Sequence, residues 1–153
     1  LRNDKNSYKI WRNLQWFKYF EEDIIDLKQY IETTYKTDAT QDTDWCYHMS
    51  LSMDKIRAEL DLYHTSGILI EFKASQKNVI TIQNLLQAYC YAYLLIQKNM
   101  VIQKIYWYNF LTRQLVMADV PDINLLQNFW KYMFPQKKSN IVVKKYKKEV
   151  RKL

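Results

Sequence analysis

The chain has almost no backbone breakers: its 153 residues include a single glycine, Gly67, and two prolines, Pro121 and Pro135. So few breakers speak against a linker-rich architecture, and no low-complexity segment interrupts the chain. Cysteine is equally scarce. Cys46 and Cys90 form no CxxC pair and no metal-ligand cluster. They read as reduced core thiols of an intracellular protein, with a bridge between them left open. No signal peptide is visible, and the apolar run around 88–96 is too short to span a bilayer and is broken by Tyr. No membrane association is expected. The chain opens on Leu1 without an initiator Met, as expected of a domain or trimmed piece of a larger polypeptide or complex.

What is present is ordinary globular composition, 48% apolar and 25% charged, which at this length suits one domain with a sizeable core. Thirteen Tyr and five Trp stand out. Most read as core and sheet packing, with one or two available to stack on bases. The net charge of +7 is unevenly placed: residues 135–153 hold eight basic residues and one acid, Glu149, whereas the rest holds fifteen of each sign. The whole excess therefore lies in the tail, where Lys144, Lys145, Lys147 and Lys148 are candidate phosphate contacts. A solvated helix end or a linker is the plainer alternative. The expected organisation is a domain over 1–136 and a basic tail over 137–153.

Apolar residues at Ile10, Leu14, Phe17, Phe20, Ile24, Leu27 and Ile31 recur with a helical period across 7–36, behind Ser7 as a candidate N-cap. A polar loop at 37–44 follows. Residues 45–53, 56–64 and 68–74 read as strands, 79–98 as a helix, and 106–111 with 113–120 as a strand pair. Pro121 and Asp122 open a last amphipathic helix to about 133. The order predicts an α/β fold, a mixed sheet with helices on both faces.

The third strand, ILIEFKA, places Glu71 and Lys73 on one face of an otherwise apolar run. Thr65-Ser66-Gly67 before it suits a three-residue hairpin loop, with the only glycine in the slot that favours a left-handed residue. That loop sets the register: His64 meets Ile68, Leu62 meets Ile70, and Leu60 meets Phe72, all on an apolar face. On the other face Asp61 falls opposite Glu71, and Glu59 falls opposite Lys73. Carboxylates about 5 Å apart repel by roughly 3 kcal/mol at an effective dielectric of 20. A divalent cation between them would turn that cost into a binding site, because hard cations prefer carboxylate oxygens.

The stretch AELDLYHTSGILIEFKAS resembles the PD-(D/E)xK nuclease signature of RecB-type domains and the related CRISPR-adaptation exonucleases, with Asp61, Glu71 and Lys73 at the matching positions. QAYCYAYLL is similar to the family's downstream Q-x-x-x-Y helix, with Gln87 and Tyr91 one turn apart, and YWYNFLTRQLVMADV to the strand pair after it. The resemblance spans about 45–120. It implies a restriction-endonuclease-like core in αβββαβ order and a metal-dependent nuclease, an exonuclease acting on DNA before RNA. Two alternatives stay open: an RNA endonuclease of the cap-snatching type, and a non-catalytic nucleic-acid-binding or scaffolding domain of the same fold.

By that resemblance, Asp61, Glu71 and the Phe72 carbonyl hold Mg²⁺ or Mn²⁺, and Lys73 stabilises developing charge on the phosphate. Gln87, Tyr91 and Lys77 are implied substrate contacts. Many RecB-type members carry a His ligand ahead of the Asp. Here only His48 precedes it, on a predicted strand, so Glu21 or Glu22 of the first helix is the candidate further ligand. An iron–sulfur cluster, which some relatives carry, is excluded by the count of two cysteines.

Overall fold

The computed structural model describes residues 15–36 and 44–135, without the side chains of 15–19. Ser7, most of the 37–44 loop and the lysines of the tail lie outside the described residues. Chain order gives α1 (Gln15–Thr34), β1 (Trp45–Met53), β2 (Ile56–His64), β3 (Ile68–Lys73), α2 (Ile82–Gln97), β4 (Lys104–Asn109), β5 (Gln114–Asp119) and α3 (Ile123–Met133). The strands form one mixed sheet in the order β1-β2-β3-β4-β5. All pairs are antiparallel except β3–β4, which is parallel and connected through α2. The fold is α/β.

By compactness the chain divides into 1–120 and 121–153, a division ahead of the charge boundary at 136/137. In the second unit Asp122 caps α3 by accepting from the amides of Asn124 (2.9 Å) and Leu125 (3.1 Å). The Trp130 and Phe134 rings of that unit meet at 4.5 Å.

In the first unit the strand period separates two faces. On one, Leu27 and Ile31 of α1 pack on Trp45, Leu62, Ile68, Ile70, Tyr106 and Tyr108. Each such aliphatic side chain, once out of water, stabilises the fold by about 1.5–3 kcal/mol. The other face presents Asp61, Glu71, Lys73, Trp107 and Asn109. α2 covers part of that face, with Tyr91 within the field of both Asp61 and Glu71. Helices thus lie on both sides of the sheet, as the element order led us to expect. Cys46 and Cys90 are both free thiols, and burial pushes Cys90 up from its ordinary value.

Several element ends shift by one to three residues from their sequence-based positions, and two of the starts have a visible cause. α2 starts at Ile82 and not 79, because Thr81 and Asn84 form a reciprocal capping box there. β4 starts at Lys104 and not 106, because the Gly67 carbonyl accepts from the amides of Gln103 (2.6 Å) and Lys104 (3.2 Å) and so seeds the parallel register.

Gly67 itself closes the β2–β3 turn, its amide donating to the His64 carbonyl (2.8 Å) at φ +100°. A Cβ there would lie 2.9 Å from Val101 Cγ1 and 3.1 Å from the Gln103 amide nitrogen. Gly67→Ala therefore combines an unfavourable backbone conformation with a clash against the start of β4. We expect a loss of about 2 kcal/mol or more, read as a fall of several degrees in Tm. An unchanged Tm would mean that the turn relaxes without cost.

Candidate functional site

The site is made where β2 and β3 part. Their ladder pairs His64 with Ile68, Tyr63 with Leu69 and Leu62 with Ile70, the register set by the glycine turn, and stops there. Asp61 is the first residue beyond the ladder, directly across from Glu71. Its side chain replaces the backbone pairing: Asp61 Oδ2 accepts from the Phe72 amide at 2.8 Å. Glu71 Oε1 reaches back to the Asp61 amide at a long 3.5 Å. The same residue is skipped on the other side, where the β1–β2 register would place His48 opposite Asp61 and His48 instead adopts φ +49°. Two neighbouring strands thus release their backbone at one carboxylate.

Glu71 is the least exposed acid described here, at 4%. Burial first, and the nearby Asp61 charge second, push its pKa from 4.5 up to about 8; the Asp61 amide and Lys73 pull the other way. Without a cation, then, the pair escapes repulsion at neutral pH by keeping a proton on Glu71. Lys73 is half-buried on the same face and, among the described residues, makes no ion pair. Glu59, expected opposite it, bonds His48 Nδ1 instead (3.1 Å), in an exposed pair at the sheet edge.

From α2, Gln87 Nε2 donates to the Tyr91 hydroxyl at 2.8 Å, the contact that the i, i+4 spacing allows. Burial, and then Glu71, push Tyr91 up to about 12. It keeps its hydrogen at any physiological pH and can donate it. Lys77 follows β3 on an exposed loop and lines the same cavity as Lys73. Asp61, Glu71, Lys73, Gln87 and Tyr91 therefore occupy one region of one sheet face, with Lys77 beside it.

Other expected residues stand differently. Glu21 and Glu22 are exposed on α1, and among the described residues no group of three His, Cys, Asp or Glu side chains comes together. Among the described residues the acids that stand across from each other here are Asp61 and Glu71, whose oxygens could join water or phosphate oxygens around a Mg²⁺ ion. Phe72 enters the site through its amide, held by Asp61. The acid of the first helix that has a buried partner network is Asp23. It accepts from Tyr108 Oη (2.6 Å) and pairs with Arg113, whose hydrogen bonds hold its carboxyl below the ordinary range. This latch ties α1 to β4 and the turn into β5. Sequence reading missed it, since Asp23 is one of three consecutive acids and only its 8% exposure separates it from Glu21 and Glu22.

The raised pKa of Glu71 has a measurable sign. The folded chain keeps that proton up to about pH 8, whereas the unfolded chain releases it near 4.5. The contribution to stability is thus complete below about pH 4.5 and is lost as pH rises towards 8. In chelator, thermal melts across that window should show stability falling with pH by an amount on the order of a few kcal/mol, and Glu71→Gln should remove most of that slope. Equal slopes in both proteins would place the titration elsewhere.

No family model, curated protein or solved structure matches this chain.

Proposed function

We propose that the chain is a divalent-metal-dependent nuclease with a restriction-endonuclease-like core, hydrolysing phosphodiester bonds, of DNA before RNA. One observation carries this. A buried carboxylate, Glu71, is held across from a second, Asp61, where the sheet opens, with Lys73 on the same face and, among the described residues, in no ion pair. Keeping two acids this close costs the fold either their repulsion or the proton that Glu71 must hold at neutral pH. The arrangement is intelligible as a receptor for positive charge. The resemblance of D-x9-E-x-K and Q-x-x-x-Y to the PD-(D/E)xK nucleases supplies the reaction.

The roles follow from chemistry. Asp61 and Glu71 are the residues that would hold Mg²⁺ or Mn²⁺, with the Phe72 carbonyl as a further donor, and Glu71 must release its proton to do so. Bound there, the ion would supply Lewis acidity and a water of lowered pKa. Lys73 donates to a non-bridging phosphate oxygen and compensates the charge that builds as a water oxygen bonds to phosphorus and the ester oxygen leaves. Tyr91, oriented by Gln87, donates to the substrate backbone or to a carboxylate. By their charge, Lys144, Lys145, Lys147 and Lys148 are candidates for further phosphate contacts.

Asp61→Ala, Glu71→Ala and Lys73→Ala should each lower Mn²⁺-dependent cleavage by at least about a hundredfold, with circular dichroism and cooperative melting preserved. Single- and double-stranded DNA and RNA should be compared in parallel. Full activity in one variant removes that residue from the mechanism. Absence of Mn²⁺-dependent cleavage of all four substrates contradicts the enzyme reading and favours a binding or scaffolding domain.

A further inference from the structure

On the Lys73 side of the carboxylates, the same sheet face leads into a cavity of about 110 Å³ between the loop after β3, the first turn of α2, and β4–β5. Its wall has hydrogen-bond donors in surplus. Lys73 and Lys77 both line it, and among the described residues neither makes an ion pair. Trp107 lines it too; the residue is only 2% exposed, and its indole Nε1–H has no hydrogen-bond partner among the described residues. Ammonium and indole groups donate and never accept, so these three side chains call for acceptors beyond themselves.

Several acceptors of the wall are already engaged. Asn109 Oδ1 takes the amides of Ser75 (3.3 Å) and Leu111 (3.1 Å). Thr81 Oγ1 takes the Asn84 amide (3.2 Å), and Asn84 Oδ1 takes the Thr81 amide (3.3 Å). A compact, acceptor-rich anion completes such a wall. The positive end of the α2 dipole at Thr81 and Asn84 favours the same sign of charge. The cavity is also built to hold its shape. Asn109, 7% exposed and directly beside Lys73 in the β3–β4 register, donates from Nδ2 to the Ser75 carbonyl at 2.8 Å and so pins the loop that carries Lys77.

We propose that this cavity is a second phosphate subsite, taking the phosphate next to the one cleaved at Asp61, Glu71 and Lys73, with Asn109 as its positioning residue. Which molecule owns that phosphate rests on the nuclease reading; binding the phosphate itself needs no divalent cation. Lys73 joins the two sites, since it stands on the wall of the cavity and on the face of the carboxylates.

The test uses the full chain in chelator, titrated with inorganic phosphate and, at matched ionic strength, with chloride. Phosphate should raise Tm saturably and beyond chloride. Lys77→Ala, at an exposed position whose loss leaves the core intact, should weaken the phosphate response by about tenfold, as loss of one charge-assisted hydrogen bond gives. Trp107→Phe, which keeps an aromatic ring and removes the N–H, should weaken it as well, read as the phosphate-dependent shift and not as the starting Tm. A phosphate response no larger than that of chloride, or one that Lys77→Ala leaves intact, overturns the subsite. The two readings fail separately. Mn²⁺-dependent cleavage without a phosphate response removes the subsite alone. A phosphate response without cleavage removes the nuclease assignment and leaves an anion pocket.

Discussion

The burial of Glu71 against Asp61 is the constraint on which the rest of the site depends. A carboxylate at 4% exposure tolerates a second one beside it only by staying protonated or by sharing a cation. The backbone accommodates the pair locally. Past Leu62 and Ile70 the β2–β3 ladder ends, and Asp61 Oδ2 takes over the Phe72 amide that a continued ladder would have bonded. The carboxylate that ends the strand pairing thereby also satisfies it. This matters because an orphaned buried amide would cost about as much as a lost hydrogen bond. The opening in the sheet and the charge within it therefore have one cause.

Around that point strand pairing and turn geometry fix the positions of the site residues. The parallel β3–β4 pairing runs from Ile68↔Lys104 to Lys73↔Asn109 and carries Glu71 and Lys73 on a strand with neighbours on both sides along its first half. The Gly67 turn sets the register of the hairpin and, through its carbonyl, the start of β4. On the far face, Asp23 couples Tyr108 and Arg113 to α1, opposite the strands that bear the site. Asn109 does comparable work on the near face for the loop after β3.

Much of this was legible in the sequence, for reasons that differ by residue. The hairpin register followed from one glycine, since side-chain period 2 leaves no latitude once the turn is placed. Asp61 opposite Glu71 was arithmetic after that. The Gln87–Tyr91 contact followed from helical spacing alone. What stayed hidden is set by distant partners. Asp23 cannot be told from Glu21 and Glu22 without knowing that Tyr108 and Arg113, some 85 to 90 positions on, close over it. Glu59 was expected beside Lys73, but His48 on the edge strand competes for it. Nor does any local pattern mark Trp107, whose indole N–H has no acceptor among the described residues, or Asn109, whose amide side chain serves the loop after another strand.

The central claim is that Asp61 and Glu71 together receive a divalent cation, and that Glu71 gives up a proton when they do. Titration calorimetry with Mn²⁺ at pH 7, repeated in two buffers of different ionisation enthalpy, measures both at once. With the pKa of Glu71 near 8, binding should release about one proton per Mn²⁺, and Glu71→Gln should abolish both the heat of tight binding and the release. Mn²⁺ binding with no proton release, or binding that survives in Glu71→Gln, would contradict it.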